Sequence, residues 1–74
     1  MVEALCRLIQ NNHCYLNLAI GYTKVCDWIV EVEQRVEIGK AKSIVYAQDC
    51  DLNRACAEAY LKTTEWLSIN KGGY

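Results

Sequence analysis

Leu18, Tyr22, Val25, Ile29, Val32 and Val36 recur at alternating intervals of four and three residues. In an α-helix that spacing lays one apolar stripe along one face. It predicts a single long helix from about Cys14 to Glu37, the region's dominant element. Lys24, Asp27, Glu31 and Arg35 fall away from the stripe, with Glu31 and Arg35 at i,i+4 helical spacing. Gly39 follows where a C-terminal cap belongs. Leu16 and Ile20 fall nearly opposite the stripe. The first half of this helix is then apolar on two sides and asks for two neighbours.

The flanking segments extend the same reading. Val2–Gln10 places Val2, Leu5 and Ile9 on one face, and Asn11 and Asn12 break the run. Asp49 or Asp51 caps a last helix whose buried stripe is Leu52, Cys56, Ala59, Thr63 and Trp66, flanked by Ala55 and Leu67. Glu58 and Lys62 form an outer i,i+4 pair. Between these helices, Ser43-Ile44-Val45-Tyr46-Ala47 reads either as a short strand or as an extended connection. A lone strand leaves its backbone groups unpaired. It needs a hairpin partner, which is not evident in the sequence, or the same strand of another copy. The expected fold class is therefore all-α or mainly α. It is a small three-helix domain over residues 1–74 with one long central helix, and 43–47 is the one place for a strand.

Size sharpens this expectation. A chain of 74 residues buries only about 60% of the surface its unfolded form exposes. Yet 53% of its residues are hydrophobic. The surplus, with the two-sided apolar surface at Leu16 and Ile20, predicts a homodimer or larger homo-oligomer.

Charge narrows the partners. The formal net charge is −1, with no basic stripe of the kind that neutralises phosphates, so nucleic acid is disfavoured. The acidic excess of a DNA mimic is also missing. No apolar run reaches the length of a membrane span, and Met1–Ile9 lacks the pattern of a secretory signal. The five cysteines include no CxxC pair. They are expected to be reduced thiols of a cytoplasmic protein, acting mainly as small apolar residues.

Catalytic and metal readings fail on spacing. His13 and Cys14 are adjacent, so on a helix they point about 100° apart and make no dyad. The thiols lack the paired short spacings of structural zinc sites. Asp49-Cys50-Asp51-Leu52-Asn53 opens like a calcium loop. It then places Arg54 where Gly is required and Tyr60 where the bidentate Glu is required. The expectation is a non-enzymatic chain with no metal and no cofactor.

The aromatic residues point to binding. Trp28 and Trp66 lie at the edges of their stripes. A Trp there serves as a core anchor more often than as a contact residue, but edge Trp and Tyr are enriched at binding hot spots. Trp28, Trp66, Tyr15, Tyr60, Leu16 and Ile20 are the expected partner-binding residues, and Tyr22 and Tyr46 can extend the patch. No glycine-rich phosphate loop accompanies them.

Four stretches carry a resemblance: Cys14-Tyr15-Leu16-Asn17-Leu18-Ala19, Cys26-Asp27-Trp28-Ile29, Gln48-Asp49-Cys50-Asp51 and the ending Glu65-Trp66-Leu67-Ser68-Ile69-Asn70-Lys71-Gly72-Gly73-Tyr74. In these the chain resembles short uncharacterised proteins of Firmicutes phages and mobile elements. The resemblance implies a context in which such proteins inhibit a bacterial defence system by binding one of its proteins or its signal molecule. The leading expectation is thus a protein-binding module, a phage-encoded, anti-CRISPR-like inhibitor acting on a host protein. The alternative is an oligomeric sponge that sequesters a nucleotide signal.

Overall fold

The computed structural model describes residues 1–11 and 15–69. Its elements are α1 (Val2–Gln10), β1 (Leu16–Thr23), β2 (Asp27–Glu37), β3 (Lys40–Asp49) and α2 (Leu52–Ile69). The three strands form one antiparallel sheet in the order β1-β2-β3. The domain is α+β, 44% strand and 41% helix over the described residues, which overturns the expected mainly α fold.

The expected central helix is a β-hairpin, and the reason is periodicity. Leu16, Leu18, Ile20 and Tyr22 alternate with Asn17, Ala19 and Gly21, and Trp28, Val30 and Val32 alternate with Ile29, Glu31 and Glu33. Alternation by two is the strand pattern, and β-branched side chains favour it. The 4-3 spacing at Leu18, Tyr22, Val32 and Val36 is also a set of even positions within two strands. Leu16 and Ile20 consequently share a face with Leu18 and Tyr22 and do not oppose them. Glu31 and Arg35 lie along an extended strand, about 13 Å apart by the rise per residue, so their helical pairing is lost.

The turns explain why the hairpin hides in the sequence. Thr23 pairs with Asp27 around a loop without Gly or Pro. The Cys26 backbone N–H donates to Thr23 Oγ1 at 2.8 Å. Asp27 takes the positive φ of 57°, which Asp tolerates better than most residues. At the second turn, Gly39 has φ 79°. Its conformational freedom is used in a hairpin, where a helix cap was expected. β3 runs well beyond 43–47, and its hairpin partner is β2. The register shifts between Val32 and Glu33, which leaves Ile44 as an extra residue opposite β2.

Both helices pack on one face of the sheet. α2 lies over β2 and β3, and α1 lies against α2 and β1. Val30, Val32, Val45 and Ala47 of the sheet meet Ala55, Cys56 and Ala59 of α2, and Leu5 of α1 completes this buried core. The small α2 residues let the helix approach the sheet closely. Buried Thr63 satisfies its hydroxyl by donating to the Ala59 carbonyl at 2.7 Å. The bounds of α1 match the sequence expectation. Of the expected buried stripe of α2, Cys56, Ala59 and Thr63 are buried together with flanking Ala55, while Leu52 and Trp66 are half-buried. Asp51 caps α2, its Oδ1 accepting from Asn53 N–H at 2.8 Å. Among the described residues, no helix is long and apolar enough to cross a membrane.

Candidate functional site: the open edge of β1

Antiparallel strands alternate the side on which backbone groups are used. Arg35 N–H donates to the Tyr15 carbonyl at 3.0 Å, and the register pairs Leu16 with Gln34 and Ile20 with Val30. Tyr15 therefore sits in a hydrogen-bonded pair. By alternation, Asn17, Ala19 and Gly21 turn their N–H and C=O groups towards β2. Leu18, Ile20 and Tyr22 turn theirs outward, to the free edge of the sheet. No described residue hydrogen-bonds to those outward groups.

The same residues carry the side chains of the helix-covered face, and the cover stops short. α1 has 9 residues and β1 has 8, giving lengths of about 13 Å and about 26 Å. α1 is too short to cover the whole strand, and the burial along β1 shows cover over residues 16–18 and exposure from Ala19 onward. Leu16 and Leu18 are half-buried and pack against the core, whereas Ile20 and Tyr22 are 39% and 56% exposed. Beyond them lies Trp28 on β2, half-buried, its ring centroid 5.0 Å from that of Tyr22. The result is an apolar and aromatic shelf, Ile20–Tyr22–Trp28, beside a strand edge that carries no charged residue.

The opposite edge differs. β3 contains Lys40, Lys42 and Asp49, and Lys62 Nζ of α2 donates to the Tyr46 carbonyl at 3.1 Å. Charge on an edge strand blocks pairing with another strand, and Lys62 occupies an acceptor that such a strand would need. The helix-free face of the sheet presents Glu31 and Glu33 in its centre, with Ile29, Tyr46 and Gln48. This is no surface for phosphates.

The six expected binding residues are dispersed. Trp28 and Ile20 belong to the shelf, and Leu16 lies further along the same strand face. Tyr15, exposed and with φ 50°, precedes β1. Tyr60 is half-buried against the core, and Trp66 is half-buried near the end of α2. Spacing placed Tyr22 on a core stripe, although it also counted among the tyrosines able to extend an aromatic patch. In the fold it is a principal exposed member of the shelf. The role of Lys62 at the β3 edge was not legible, because its i,i+4 pair with Glu58, present at 3.4 Å, accounted for it.

The remaining candidates hold little chemistry. Asp49 accepts from the Asp51 backbone N–H at 2.9 Å and pairs with Arg54 at 3.2 Å. These contacts, the backbone bond first, hold its carboxyl below the usual carboxylate range. It is a helix-start turn. Cys6, Cys26, Cys50 and Cys56 are free thiols, and desolvation pushes the Cys56 thiol up. Among the described residues, no cluster of His, Cys, Asp and Glu is arranged to hold a metal. His13 and Cys14 lie outside the described residues. Compared with protein-family models, curated proteins and solved structures, the chain matches none of them.

Proposed function

We propose that this chain is a non-enzymatic protein-binding module that recognises an extended segment of another protein along β1. The observation that carries this reading is the coincidence, on Leu18, Ile20 and Tyr22, of outward backbone donors and acceptors with apolar side chains. Strand addition uses both. Main-chain hydrogen bonds supply affinity, and a neighbouring apolar shelf selects side chains. Tyr22 and Trp28 supply large contact area at low entropic cost. In the context that the resemblance implies, the partner is a bacterial host protein met in the cytoplasm, and binding inhibits a defence system.

The test is capture from a lysate of a Firmicutes host, followed by direct binding with the purified captured protein. Wild type is compared with Tyr22→Ser and Ile20→Lys. If the shelf is the contact, each substitution weakens binding by about 2 kcal/mol or more, the size of a hot-spot loss. Equal binding by all three chains would remove the shelf from the function.

A further inference from the structure

We infer that β1 pairs with β1 of a second copy of this chain, antiparallel about a two-fold axis at Ile20, joining two three-stranded sheets into one. This rests on the reading of the β1 edge as the binding surface. It names the occupant of that edge when no other protein holds it.

Register is the first argument. Leu18, Ile20 and Tyr22 are the positions whose backbone groups face outward. In an antiparallel pair centred on Ile20, Ile20 meets Ile20 and Leu18 meets Tyr22 of the other copy. Every outward N–H and C=O in that stretch then meets one of the opposite kind. The same register keeps all of these side chains on one face. Ile20 packs beside its symmetry mate, and Tyr22 beside the second Leu18. Both exposed members of β1's apolar row are thereby covered. On the other face Ala19 opposes Gly21, and Asn17 opposes Thr23, so nothing bulky collides in the pairing.

Charge is the second argument. A two-fold axis brings each residue near its own copy, so a charged edge strand repels itself. β1, Leu16-Asn17-Leu18-Ala19-Ile20-Gly21-Tyr22-Thr23, has no charge to repel. β3 brings Lys40 and Lys42 and is already engaged by Lys62. Of the two edges, only β1 is self-complementary. Since self-pairing and strand capture use the same backbone groups, the homodimer and the partner complex exclude each other.

The experiment is light scattering after size exclusion, on wild type over a wide concentration series, and on Ile20→Lys, Ile20→Glu and their equimolar mixture. Wild type is expected to rise with concentration from the 8.4 kDa chain mass towards twice that value. Each charged variant is expected to stay at the single-chain mass, because like charges meet at the axis. The mixture is expected to recover the doubled mass, with opposite charges now facing each other, and to lose it in high salt. Wild type at the single-chain mass throughout overturns the inference, whether or not the variants fold. A doubled mass for Ile20→Lys alone also overturns it, by moving the interface off β1. Folded variants whose mixture stays single overturn the register at Ile20. Capture of a host protein is measured with dilute chain, so a monomeric wild type that still binds through Tyr22 would sink this inference and leave the proposed function standing.

Discussion

Tyr22 and Trp28 face each other across β1 and β2, their ring centroids 5.0 Å apart and their planes inclined at 56°. They occupy a non-hydrogen-bonded position of the ladder, where opposed side chains approach most closely. Tyr22 is thus exposed to solvent yet fixed in place. A tilted aromatic pair of this kind is worth about 0.5–1.5 kcal/mol beyond area burial. A double-mutant cycle of Tyr22→Ala and Trp28→Ala, measured by urea unfolding, should return a coupling in that range. Additive losses would show that the rings do not interact.

The alternation of the strands gives a sharper test of the fold. Val30 is fully buried beneath α2, while its neighbour Ile29 lies on the helix-free face. Val30→Ala should cost about 2–3 kcal/mol through lost burial and a residual cavity. Ile29→Ala should cost roughly 1 kcal/mol, because that face remains open to water. A helical stripe reverses this order, since Ile29 then sits at its centre. Chemical denaturation of the two variants decides between them.

The two helices were legible because their signals are local. Val2–Gln10 has its apolar face, and α2 has its capping Asp51 and the run Ala55, Cys56, Ala59, Thr63. The meander was not, and Val25 shows why. It completed the 4-3 spacing, yet it sits 91% exposed in the β1–β2 turn. That turn is built from Thr23, Lys24, Val25, Cys26 and Asp27, with no Gly, Pro or Asn and only a lone Asp to mark it. Without the turn, two strands of alternating apolar residues merge into one apparent helix. Ile20 and Trp28 emerged as surface candidates for reasons the fold does not share. The helical reading put Ile20 opposite the stripe and Trp28 at its margin, whereas Trp28 lies on the central strand β2 and Ile20 on the edge strand β1. The openness of that edge depends on how far α1 extends over β1, a tertiary property that no local window contains.

Thiol reactivity should follow burial. Cys50 is exposed, whereas Cys56 is buried on the face of α2 that packs against the sheet, and its thiol is pushed up by desolvation. Low thiolate content and poor access both slow attack. A disulfide reagent at neutral pH should label Cys50 rapidly and Cys56 only at the rate of unfolding, read by peptide mass mapping. Comparable labelling rates would place Cys56 outside the core.

Acid should weaken the start of α2. Asp49 has its pKa lowered in the folded chain by the Asp51 backbone N–H and then by Arg54. A lowered folded pKa contributes stability that is present above the unfolded value, about 3.9 for Asp. That stability is lost as pH falls through the folded value. Stability should therefore drop below the ordinary carboxylate range, and Asp49→Asn should flatten that part of the profile. An unchanged profile in Asp49→Asn would assign the acid sensitivity to other carboxyls.

The β1 edge can be read amide by amide. Ala19 and Gly21 donate towards β2, and Leu18, Ile20 and Tyr22 donate outward. Hydrogen exchange followed by NMR should find Ala19 and Gly21 protected at every concentration. In dilute solution Leu18, Ile20 and Tyr22 should exchange rapidly. Raising the concentration by about a hundredfold should slow these three amides together, as mass action fills the edge with a second strand. Protection of all five amides in dilute solution, or rapid exchange of the outward three at every concentration, would contradict an open, self-pairing β1.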